Sequence, residues 1–157
     1  MELKDIKAGE GLGDIKFGMT RSQVKKLLGE PSEIEKFSYS DSDEDLSESF
    51  HYDELELSAG FDEDAEWRLV TLAVSSPDYE FMNKKLIGID RDSLLATLEE
   101  LGIKNLEYEN DPSEDSPESI LITSKDKGIT FWLEDNVVSE IQWGPIYINE
   151  ETIIWPN

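Results

Sequence analysis

Residues 18–31, Gly-Met-Thr-Arg-Ser-Gln-Val-Lys-Lys-Leu-Leu-Gly-Glu-Pro, fix one short helix with both ends written in. Thr20 is an N-cap, and Gln23 three residues on completes a capping box. Val24, Leu27 and Leu28 place one apolar stripe on one face. Gly29 supplies a stop and Pro31 bars continuation. Seventy residues later, Gly88-Ile89-Asp90-Arg91-Asp92-Ser93-Leu94-Leu95 repeats the opening order of Gly, apolar residue, capping residue and Arg. A second helix is therefore expected from about Asp90 to Leu101, with Leu94, Leu95, Leu98 and Leu101 inward and Gly102 as its stop.

The segments after each helix match in order. Ile34 to Tyr39, Phe50 to Phe61 and Trp67 to Ser75 read as strands, the last stopped by Pro77. Asn105 to Glu109, Ile120 to Thr123, Ile129 to Leu133 and Val137 to Trp143 read likewise. Acidic loops at 41–48 and 110–118 fall in corresponding places. Phe61 and Phe131 are 70 residues apart, whereas Pro77 and Pro145 are 68 apart, as a hairpin two residues shorter requires. The expected fold class is α+β: two tandem α-β-β-β units forming an antiparallel sheet with helices packed on one face. They make a single compact domain over 1–157, with pseudo-repeats at about 14–77 and 84–145 and a C-terminal extension at 146–157. Residues 1–13 read as an irregular lead-in.

Charge narrows the partners. The chain carries 37 acidic and 14 basic residues, a net −23. Residues 38–66 hold twelve acids and no Lys or Arg, and residues 107–157 hold twelve acids and two basic residues. The helix-bearing segments are nearly neutral, so the excess belongs to sheet and loops. Such a field repels nucleic acid and favours a basic protein partner. The absence of Cys removes disulfides, thiolate zinc sites and a lipid-anchor cysteine. Met1 to Asp5 lacks an apolar signal core, and no run approaches membrane-spanning length. A cytoplasmic protein without membrane contact is expected, as a monomer or weak dimer.

No residue pattern nominates catalysis, a cofactor or a metal. His51 is the sole histidine, which rules out a multi-histidine metal site; beside Tyr52 in a strand it is expected to be structural. Gly9-Glu10-Gly11-Leu12-Gly13 lacks the strand, Lys and helix register of a phosphate loop. Asp41-Ser42-Asp43-Glu44-Asp45 alternates carboxylates, yet the calcium-loop glycine and closing Glu are Leu46 and Tyr52. The tryptophans carry more. Trp132 follows Phe131, so in a strand the two rings point to opposite faces and one leaves the helix-covered core. Unless residues 146–156 fold over that face, an aromatic among carboxylates makes a binding surface. The expected partner-binding residues are Trp67, Trp132 and Trp143 with Asp62, Glu63, Asp64, Glu134 and Asp135.

The phrase from Gly18 to Pro31 resembles the helix signature of the BamE (SmpA/OmlA) outer-membrane lipoproteins and of the β-lactamase-inhibitor-protein-like fold. That resemblance implies tandem helix-plus-sheet units with a concave sheet that grips a protein. Together these features lead to an acidic protein-binding module, an immunity-type inhibitor of a basic toxin or nuclease. A structural or assembly protein of BamE-like type is the first alternative. A small-ligand binder or enzyme with a carboxylate-lined pocket is the second.

Overall fold

The computed structural model describes residues 5–38, 46–103, 105–110, 120–124, 127–147 and 153–155. Helix α1 (Arg21–Leu28) starts as its sequence dictates. The Thr20 hydroxyl accepts from the Gln23 amide at 3.2 Å, and the Gln23 side chain accepts from the Thr20 amide at 2.9 Å. Helix α2 (Arg91–Glu100) is capped by Asp90, whose carboxylate accepts from the Ser93 amide at 2.8 Å. Val24, Leu94 and Leu98 are the buried residues of these helices and join one continuous core.

The lead-in is not irregular. β1 (Asp5–Lys7), β2 (Gly11–Leu12) and β3 (Ile15–Lys16) form a small sheet closed by β8 (Glu80–Phe81). Gly11 makes its tight geometry possible, because a Cβ there would run into the carbonyl of Ile15. Ile6, Leu12, Ile15 and Phe17 enter the core from this layer.

The main sheet has eight antiparallel strands. After α1 come β4 (Glu33–Ser38), β5 (Leu46–Tyr52), β6 (Leu57–Asp62) and β7 (Arg68–Val74). After α2 come β9 (Leu106–Asn110), β10 (Ile120–Ser124), β11 (Ile129–Glu134) and β12 (Val137–Trp143). Their order is β4-β5-β6-β7-β12-β11-β10-β9, with each half a meander and the halves joined at β7–β12. Each helix is thus followed by four strands rather than three. The stretch from Phe50 to Phe61, read above as one strand, is broken by a 3-10 turn at Asp53–Leu55 and a left-handed Glu56. Its buried residues switch there from even positions (Phe50, Tyr52) to odd ones (Leu57, Ala59, Phe61).

The helix entries are tied to the sheet in the same way in both halves. Gly18 donates to Leu69 at 3.0 Å, and Leu69 donates back to Met19 at 2.8 Å. Gly88 donates to Val138 at 2.8 Å, and Val138 donates back to Ile89 at 2.9 Å. Both helices and the small sheet share the core with one face of the main sheet. Phe61, Leu72, Val74, Phe131, Ile141 and Trp143 point to that face. The acidic segments at 41–45 and 111–118, including the alternating carboxylates of Asp41 to Asp45, lie outside the described residues.

Candidate functional site

The opposite face of the main sheet has no covering layer among the described residues. Register shows what it presents. His51 is opposite Ser58, and Ser49 is opposite Gly60. Ser58 is opposite Ala73, Gly60 is opposite Thr71, and Ala73 is opposite Gln142. Small side chains in neighbouring strands therefore line up and leave a trough above β5, β6 and β7. Two adjoining hollows form it, of about 380 and 220 Å³, and Ser58 and Ala73 line both. Gly60 fits this floor closely, since a Cβ there would lie 3.2 Å from the Thr71 side chain.

Carboxylates ring the larger hollow. Glu33 of edge strand β4, Asp53 and Glu56 of the β5–β6 turn, and Glu140 of β12 all line it. The other ionisable groups on its wall, among the described residues, are His51 and Tyr52. Among the described residues no three His, Asp or Glu side chains stand close enough to hold a metal ion. Glu140 is half-buried, and no ion pair neutralises it among the described residues. Burial first, and then the nearby Glu134 charge, push its carboxyl above the usual carboxylate range. At the other end of the trough Asp62 accepts from Ser47 Oγ at 2.7 Å.

His51 sits between two oxygens. Its Nδ1 is 2.8 Å from Ser58 Oγ, and its Nε2 is 3.8 Å from the Glu35 carboxylate. The order is that of nucleophile, base and carboxylate, yet the setting gives a nucleophile no help. Ser58 lies in an interior strand paired on both sides, so its neighbourhood lacks the free backbone N–H groups that acyl transfer requires.

The candidate residues chosen from the sequence do not form one patch. Trp143 is 2% exposed, and its Nε1 donates to the Gly11 carbonyl at 2.9 Å. It is a core residue, which corrects its assignment to a contact surface. Trp132 stands on the open face opposite Glu140 while Phe131 is wholly buried, as strand alternation requires. Its Nε1 is buried without an acceptor. Trp67 is half-buried against the core, with the Arg21 guanidinium 4.6 Å above its ring. Arg21 also donates to Glu48 at 2.8 Å, so this aromatic is engaged within the chain.

The two acidic turns lie at opposite ends of the sheet. Val74 pairs with Ile141 in antiparallel register, which separates Arg68 from Val137 by ten residue steps, about 30 Å at the strand rise. Asp62 and Glu63 stand at one end, and Glu134 and Asp135 at the other. The side chain of Asp64 lies outside the described residues. The described part of the C-terminal extension does not cover the open face. β13 (Ile146–Tyr147) pairs with β14 (Ile153–Ile154); Ile146 packs at Gly9, and Trp155 packs at Gly18 beneath Arg68.

Comparison with protein-family models, with curated proteins and with solved structures returns no match. The functional reading therefore rests on the chain's own residues. Glu33, Glu140 and the trough floor were not singled out in the sequence. The signal for them was alternation of Ser, Gly, Thr and Ala with apolar residues in β6 and β7.

Proposed function

We propose that the chain is an acidic protein-binding module that grips a basic partner with the open face of its sheet, as an immunity-type inhibitor of a basic toxin or nuclease. One observation carries this reading: a trough of small side chains is flanked by carboxylates, with no Lys or Arg on its walls among the described residues. Arg68, paired with Asp62 across β6 and β7, already lies 3.7 Å from Glu66 and over the Trp155 ring, and Arg21 is already paired with Glu48. A face of that charge accelerates association with a basic surface and keeps nucleic acid from it. The resemblance of residues 18–31 to BamE-like and β-lactamase-inhibitor-protein-like proteins favours the same trade.

Matching ties between Gly18–Met19 and Leu69, and between Gly88–Ile89 and Val138, favour an origin of the two halves by duplication of one helix-plus-meander unit. The edge strands β4 and β9 carry Glu33, Glu35, Lys36, Glu107 and Glu109, which discourages edge-to-edge pairing and favours a monomer. The cytoplasm is the proposed location.

The test is capture of partners from a cell lysate at low and high salt, followed by an assay of the captured protein's activity with and without this chain. A basic protein held at low salt, released at high salt and inhibited when bound is the expected result. A partner that is acidic, or held equally at both salts, overturns the reading.

A further inference from the structure

The trough is uneven, and its asymmetry says which part of a basic partner it takes. Glu33, Asp53, Glu56 and Glu140 surround the larger hollow. They come from β4, the β5–β6 turn and β12, so they approach from several sides instead of sharing one edge. The smaller hollow next to it is floored by Ser49, Ser58, Gly60, Thr71 and Ala73, and its two carboxylates, Glu48 and Asp62, are already engaged by Arg21 and Ser47. An anionic end with four carboxylates thus continues into a floor of small side chains.

Resting on the reading of a basic partner, we propose that the larger hollow seats one arginine side chain projecting from a loop of that partner, while the loop's backbone lies along the floor at Ser58 and Ala73. Arginine fits better than lysine because its planar fork offers five donors to carboxylates arriving from different directions. Lysine offers a compact ammonium that the spread carboxylates contact less fully. Strand addition does not explain recognition here, because β5, β6 and β7 are interior strands with both ladders occupied. Specificity must come from side chains, and the half-buried, uncompensated Glu140 is the group that gains most from a cation. This carboxylate is costly in the free protein and is relieved on binding, the pattern of a contact centre rather than a rim.

The probe is a nine-residue peptide of Gly and Ser with one central Arg, beside the same peptide carrying Lys and the same peptide carrying uncharged citrulline. Binding is followed by the amide spectrum of the isotope-labelled full chain. The expected result is that Ser58, Ala73 and Ser75 move with the Arg peptide, less with Lys and not with citrulline. Glu140→Gln should weaken the Arg peptide about tenfold or more, in the range of close interfacial charge pairs. Glu99→Gln, a neutralisation of equal charge on α2, should change it less than about twofold. Urea unfolding of Glu140→Gln confirms that the variant is folded.

Equal binding of citrulline, equal loss in Glu99→Gln, or shifts confined to other surfaces would overturn the seat. If basic partners are still captured in that event, the basic-partner reading stands and only the hollow is wrong. If neither the Arg peptide nor any basic protein binds, both fall.

Discussion

Trp143 and Trp132 are eleven residues apart on paired strands, yet they should respond to truncation in opposite ways. Trp143 is 2% exposed and ties β12 to the small sheet through its bond to the Gly11 carbonyl. Trp143→Ala removes a buried ring, at about 3–5 kcal/mol. It also strands the Gly11 oxygen, at about 1–3 kcal/mol more where no water replaces the indole. A chain of this length has a total stability of roughly 8–20 kcal/mol. The loss is therefore a large share of the whole, and the midpoint should drop by about 10 °C or more. Trp132 is outside the core cluster, on the open face, and its buried Nε1 already lacks an acceptor. Trp132→Phe removes that unpaired donor and should cost less than about 1 kcal/mol. Urea unfolding of the two variants and of the parent, followed by far-ultraviolet circular dichroism, measures both. Equal losses, or a larger one in Trp132→Phe, would refute the assignment of the two faces.

Three further outcomes follow from buried polar groups. Burial pushes the phenols of Tyr52 and Tyr79 up to about 12, helped by Glu30 at the first and by Glu56 and Asp78 at the second. Their hydroxyls donate to the carbonyls of Gly29 and Leu55. The stability they lend is fully present below pH 10 and is lost as pH rises through 12, so ultraviolet titration should show both ionising late and together with unfolding. Arg21→Ala leaves the Glu48 carboxylate, 9% exposed, without its guanidinium and should cost about 2–3 kcal/mol in urea unfolding, whereas Lys25→Ala, whose partner Glu30 is exposed, should cost under about 1. Glu140 has a folded-state pKa above its unfolded value, so stability is greatest below the ordinary carboxylate range and falls as pH rises through the raised one. Glu140→Gln should gain on the parent between pH 4 and pH 7, and a constant difference across that range would contradict the burial argument.

The helices were legible because each carries its own punctuation. Thr20 with Gln23, Asp90 with Ser93, and the glycines after each helix act within a few residues. The sheet was legible as strands, although the break at Asp53–Leu55 was hidden by leucines on both sides of it. The parity change of buried residues across Glu56 was the available clue. The open face was less legible. Alternation put Trp132 and Phe131 on opposite sides correctly, but it could not choose between Trp132 and Trp143, because register across β12 decides that. The acidic turns looked like one surface since both are hairpins rich in Asp and Glu. The antiparallel junction of β7 with β12 sends them to opposite ends. The trough depends on Ser58, Gly60, Thr71 and Ala73 meeting across strands, a fact of pairing that single positions do not carry.

The most direct test of the open face is a capture experiment in which the trough is filled by the protein itself. Ala73→Arg places a guanidinium on the shared floor of both hollows, and Ala96→Arg, on the exposed side of α2, adds the same charge away from it. With each variant as bait at low salt, the basic partner should be lost from Ala73→Arg and retained by Ala96→Arg and the parent. Retention by Ala73→Arg at the parent's level, with the variant shown to be folded, would contradict the account.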